Sequence, residues 1–198
     1  MGISTESVNA RLNSLHPDLS IPNDEMLPVR LLHLSFRDFL LTTKARFSVS
    51  EEEMNEKLTV YCLSVMQRRL RKNMCSLESY GSERRHIDSQ SINHFLPPEL
   101  QYSCRHWARH LVRSYHPIRQ LNNILPFLEE HFLHWVEVMS ILGSISRVLE
   151  DIDALQSAVQ VCIIERGLVI ANNHRALEVL EYFSFCKTQG ILFLKIST

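Results

Sequence analysis

Two spacings in this chain could place metal-ligating side chains on one helical face. They are Cys104-x-His106-x-x-x-His110 and His131-x-x-His134. Imidazole and thiolate are the usual donors to zinc and related borderline metals. A helical chain with ten histidines reaches such spacings readily. Cys104 belongs to an apolar stripe that His106 does not share, and the carboxylate pattern of zinc enzymes is missing. No metal ligand set is expected. His33, Ser35 and Asp38 bring an imidazole, a hydroxyl and a carboxylate close together in sequence. They could be assembled into a nucleophilic set, but no G-x-S-x-G surrounds them. Ser35 and Asp38 read better as a helix cap, so no catalytic residue is expected and the chain is read as a non-enzyme. Phosphate-cradling loops are absent: neither G-x-x-x-x-G-K-[ST] nor G-x-G-x-x-G occurs, and no glycine precedes a lysine. Arg68-Arg69-Leu70-Arg71-Lys72, with Arg84-Arg85, could touch phosphates. A solvated helix C-terminus in a favourable dipole explains the first cluster as well.

The elements that carry these residues are mostly helical. Pro28 to Leu34 is a short apolar run that reads as a strand. It gives way to a helix with Ser35 as N-cap, Asp38 three positions on, and Phe36, Phe39 and Leu40 on one face. His33 stands at the changeover. Ser50 and the acidic run Glu51-Glu52-Glu53 open a helix over about 50–72, with basic residues in its last turn. Residues 76–96 read as a surface loop with a turn of helix. Pro97-Pro98 starts a helix with the stripe Leu100, Cys104, Trp107, Ala108, Leu111 and Val112. Pro126 is expected to open the next helix and Gly143 to close it. Ile145 to Val159 forms another, and a last helix is expected from His174 to Phe185. Gly190 to Leu194 reads as a strand or an apolar tail. Trp107 and Trp135 each lie in an apolar stripe, where core packing is the expected role.

Composition sets the class. The chain has 198 residues, 45% hydrophobic and 22% charged, with five glycines and a formal net charge of −1. That suits a globular, glycine-poor, helical fold and supplies no field to recruit nucleic acid or an anionic membrane. The five cysteines are odd in number and widely spaced, as expected of reduced, buried thiols. No apolar run reaches the roughly 18–20 residues of a membrane span. No apolar leader opens the chain, so a cytoplasmic location is expected.

Four ordered blocks resemble a family. Val29-Arg30-Leu31-Leu32-His33-Leu34-Ser35-Phe36-Arg37-Asp38-Phe39-Leu40 is similar to the H-x-[ST]-F-x-[DE]-[FY] element of NACHT-type STAND proteins, the NOD-like signalling ATPases. The fuller likeness is to the fungal vegetative-incompatibility subgroup that carries NACHT and WD40 repeats. A helix end follows with Cys62-Leu63, Met66, Leu70, Asn73 and Cys75. A third block runs from Leu96-Pro97-Pro98-Glu99-Leu100 through Tyr102 and Cys104 to Trp107 and His110-Leu111. The fourth holds Phe127-Leu128, His131, Leu133, Trp135 and Glu137. The likeness covers about residues 12–155.

The resemblance implies that residues 1–43 are the C-terminal part of a winged-helix-like subdomain and 44–160 a helical arm. Residues 161–198 would be a divergent C-terminal helix and tail. The expected fold is mainly α, an irregular multi-helix bundle with one short β element near residues 28–34. The implied function is a non-catalytic inter-domain arm in a truncated family member that lacks the P-loop. Its partners would be a NACHT core and C-terminal repeats in cis, or a separate protein. His33 occupies the position whose imidazole contacts the β-phosphate of bound ADP in related proteins. That role requires a NACHT core, so no cofactor is expected in this chain itself, and ADP or ATP only in a full-length member. A free-standing helical protein–protein interaction module is the other expectation.

Overall fold

The computed structural model describes residues 4–14, 18–22, 29–42, 49–77, 87–114, 121–165 and 178–188. Among them the chain is mostly helical, with eight helices and one two-stranded antiparallel sheet. It divides into two compact units, Met1–Glu51 and Glu52–Thr198. Arg84-Arg85, His174 and Gly190 to Leu194 lie outside the described residues.

The first unit holds α1 (Thr5–Ser14), β1 (Leu19–Ser20), β2 (Arg30–Leu31) and α2 (Leu34–Thr42). Ser4 starts α1: its hydroxyl oxygen accepts from the Ser7 amide at 3.3 Å. The expected strand is present but two residues long, and it pairs with β1. Leu19 pairs with Leu31 and Ser20 with Arg30, and the Leu32 amide extends the ladder to the Asp18 carbonyl at 3.0 Å. Little is buried here. Leu19 is the one large hydrophobic that the described part of the unit buries, and α2 buries none.

The second unit is a helical bundle. Its helices are α3 (Glu51–Arg69, which begins on the last residue of the first unit), α4 (Ser89–Phe95), α5 (Pro98–Arg113), α6 (Leu121–Ile141), α7 (Ile145–Glu165) and α8 (residues 178–188). Asp88 caps α4 by accepting from the Gln90 and Ser91 amides, so the stretch before Leu96 carries a formed helix. Pro98 is the first residue of α5, where its missing N–H costs nothing.

Pro126 does not open α6. The helix begins five residues earlier, at Leu121, and runs through the proline. Pro126 is the sixth residue, so one backbone bond near the end is lost and the loss falls on an exposed flank. Gly143 does end it. At φ 66° it sits in the left-handed region. The Ser144 amide returns to the Met139 carbonyl at 2.8 Å and the Gly143 amide to the Ser140 carbonyl at 2.9 Å. That is a Schellman closure.

One core unites these helices. Cys62, Leu63 and Met66 of α3 pack with Leu100, Cys104, Trp107 and Leu111 of α5. Phe127, Leu128 and Trp135 of α6, Val148 and Ile152 of α7, and Val179, Phe183 and Cys186 of α8 complete it. Trp107 and Trp135 are both 0% exposed and meet edge to face at 5.4 Å. No described helix is long and apolar enough to cross a membrane.

Candidate functional site

His33 sits where the backbone turns from strand to helix. It precedes Leu34, and its carbonyl accepts the Phe36 amide at 3.2 Å. It therefore takes the N-cap position that the sequence suggests for Ser35, which lies inside the first turn. The side chain is exposed. Around it the surface is apolar: Leu32, Leu34 and Phe39 are 52%, 78% and 53% exposed. Arg37 is the polar anchor of α2. Its guanidinium donates both to Glu51, at 3.2 and 3.3 Å, and lies 3.8 Å from Asp38. Asp38 is thus an exposed carboxylate beside a cation, and its carbonyl takes the Thr42 hydroxyl at 2.7 Å.

In the second unit the residues of three motif blocks are drawn together. The Trp135 indole N–H donates to the Cys104 carbonyl at 2.9 Å. The Glu137 carboxylate accepts the Asn73 and Met74 amides at 3.1 and 3.0 Å. Asn73 is in the left-handed region, φ 56°, and its own amide group brackets Leu77. Glu137 thus closes the turn that ends α3. Sequence spacing alone does not join residues 73 and 137.

The histidines on α5 are engaged with one another's neighbours. Tyr102 Oη lies 2.8 Å from His110 Nε2, and His110 Nδ1 lies 2.8 Å from the Asn55 amide oxygen on α3. The amide oxygen can only accept, so His110 carries its proton on Nδ1 and takes the Tyr102 hydroxyl proton on Nε2. Burial and the neighbouring arginines lower the His106 and His110 pKa values, which keeps both rings neutral. Cys104 is wholly buried, and desolvation pushes its thiol up to about 12. It is a core group. Cys62, Cys75 and Cys186 are likewise free and buried.

On α6, His131 is 5% exposed, and its Nδ1 lies 3.4 Å from His134 Nδ1. Among the described residues, no three His, Cys, Asp or Glu side chains gather so as to hold a metal ion. Of the basic run, Arg68 donates to the Ser64 carbonyl at 3.0 Å and Arg69 pairs with Glu99 at 3.1 Å. Both are occupied within the fold.

Asp151 belongs to no sequence motif. It stands on the stripe Val148, Ile152 and Leu155, a position where a carboxylate is a warning sign. It is 9% exposed, one carboxylate oxygen has no partner, and burial pushes its pKa up to about 6. A cleft of about 600 Å³ opens between α6 and α8, lined by Leu125, Glu129, Glu178, Glu181, Tyr182 and Phe185. A smaller one of about 230 Å³ involves Asn93, Gln101 and Arg105.

Compared with known protein families, characterised proteins and solved structures, the chain shows no match.

Proposed function

We propose that this chain is a non-catalytic helical arm of a NACHT-type STAND signalling protein, with the first unit as the end of its winged helix. The observation that carries the reading is the set of four ordered blocks over about residues 12–155. Three of them supply one core: Cys62 and Met66, Cys104 and Trp107, and Phe127 and Trp135. Residues that fall in blocks by sequence thus share one physical task, which supports reading them as a unit. The first unit supports it differently. Leu31, Leu32, Leu34 and Phe39 lie exposed on it, the kind of surface that a neighbouring domain covers.

In this reading His33 would donate an imidazole N–H to the β-phosphate of ADP held by a NACHT core. The bond would break as the domains rotate apart. The test joins the chain to a NACHT core and substitutes His33→Ala. Faster ADP release and gain of autoactivation are expected. Unchanged ADP retention with no autoactivation sinks the sensor role.

The second reading is a free-standing helical interaction module. The completeness of the second unit's core favours it, since both tryptophans are fully enclosed. Size-exclusion and hydrogen exchange on the whole chain separate the two. A cooperative monomer protected throughout speaks for the module. Association through an unprotected first unit speaks for the arm.

A further inference from the structure

The arm reading takes His131 as a residue of its fourth block but gives no role to the pair His131-x-x-His134, whose geometry is unusual. His131 Nδ1 and His134 Nδ1 face each other at 3.4 Å. The other nitrogen of His131, Nε2, is buried without a hydrogen-bond partner, and the Glu130 carboxylate lies 3.6 Å from it. The Phe127 ring flanks His131 at 5.6 Å between centroids.

These contacts choose the tautomer. If His131 carried its proton on Nδ1, the bare Nε2 lone pair would face a carboxylate. With the proton on Nε2 it points an N–H at Glu130 and turns the Nδ1 lone pair toward His134. His134 then donates from its Nδ1. Loss of the proton between the two rings leaves both Nδ1 lone pairs available to one cation beside them.

We propose that His131 Nδ1 and His134 Nδ1 form a two-histidine chelate for a borderline divalent metal, zinc or copper(II), with water in the remaining positions. Two nitrogens bound to zinc at about 2.0–2.1 Å in a tetrahedron stand about 3.4 Å apart. The pair already has that separation, so chelation needs no large movement of α6. Proton balance is simple with both rings neutral. The proton on His134 Nδ1 leaves to solvent, one returns on Nε2, and none is released overall. Glu130 then stands behind His131 as the carboxylate that orients a metal-bound imidazole. Half-buried His134 leaves the open positions in reach of solvent. With two protein donors the site is an open chelate, not a closed structural one.

The test is titration of the full chain with zinc chloride at neutral pH, followed by calorimetry, on wild type and on His134→Ala. His106→Ala on α5 is the control. One equivalent of zinc should bind saturably, weaken about ten-fold or more in His134→Ala, and stay unchanged in the control. Should His134→Ala lose its helical circular dichroism, His134→Gln replaces it. Copper(II) spin resonance on the same proteins should show two imidazole nitrogens in wild type and fewer without His134. No saturable binding, equal binding by the His134 variant, or loss in the His106 variant overturns the proposal. None of these outcomes touches the STAND reading, which counts His131 among its block residues but does not use its pairing with His134.

Discussion

Trp135 reaches from α6 to α5 with its indole N–H on the Cys104 carbonyl, 2.9 Å away, while the neighbouring Trp107 has a buried indole N–H with no partner. The two rings touch, share one core and are equally enclosed. Only one of them is tied by a polar bond. The difference decides how each tolerates change. Replacing Trp135 by Phe removes a hydrogen bond together with ring volume. Replacing Trp107 by Phe removes volume and also relieves an unpaired donor. Urea denaturation should find Trp135→Phe more destabilising than Trp107→Phe, by about 1–2 kcal/mol. Equal costs would show that the bond adds nothing net.

Asp151 predicts a pH dependence. Its folded pKa is raised from 3.8 to about 6, because burial disfavours the carboxylate more than Arg147 favours it. The protonated form is therefore the one the fold prefers. The stability is fully present below the unfolded value near pH 3.8 and is lost as pH rises through about 6. At neutral pH the penalty is at most about 3 kcal/mol. Asp151→Asn should be more stable than wild type at pH 7 and lose this dependence between pH 4 and 6. Urea midpoints across that range check it.

Glu137 holds the end of α3 through two backbone amides 63 and 64 residues away. Glu137→Ala leaves the Asn73 and Met74 amides without that acceptor. A loss of about 1–3 kcal/mol is expected. Hydrogen exchange should show these two amides opening more than the rest of α3. Uniform loss of protection, with the two amides no worse than their neighbours, would contradict the clasp.

Thiol chemistry should be slow. Burial pushes Cys104 and Cys186 up to about 12 and also raises Cys62 and Cys75. A thiol at about 12 is thiolate on the order of a thousand-fold less often at pH 8 than an ordinary one. Native labelling with an aromatic disulfide should leave these four unmodified, and denaturant should release them. Rapid native labelling of Cys104 would mean that the core opens.

The apolar face of the first unit predicts the opposite of core behaviour. Leu34 is 78% exposed, so Leu34→Ser should change stability by no more than about 0.5 kcal/mol. Leu100→Ala, at a site with 0% exposure, should cost roughly 2–5 kcal/mol. Thermal unfolding of both variants checks the contrast.

Sequence by itself determined the helical class and much of its punctuation. The acidic start of α3, Pro98 at the head of α5 and Gly143 at the foot of α6 act within one turn of their own position, so their meaning is local. The stripe of α5 named its buried residues for the same reason, since a helical period marks one face. Tertiary structure decided the rest. Pro126 was placed inside α6 because the chain before it gained helix by packing, which a local rule for proline does not weigh. β1 exists because Leu31 pairs with Leu19, and a two-residue strand has no period to read. The Glu137 clasp and the Tyr102–His110–Asn55 chain join residues that a contact across the bundle alone brings together. For His131 the sequence supplied the spacing, but only the fold could bury one nitrogen against Glu130 and turn the other toward His134.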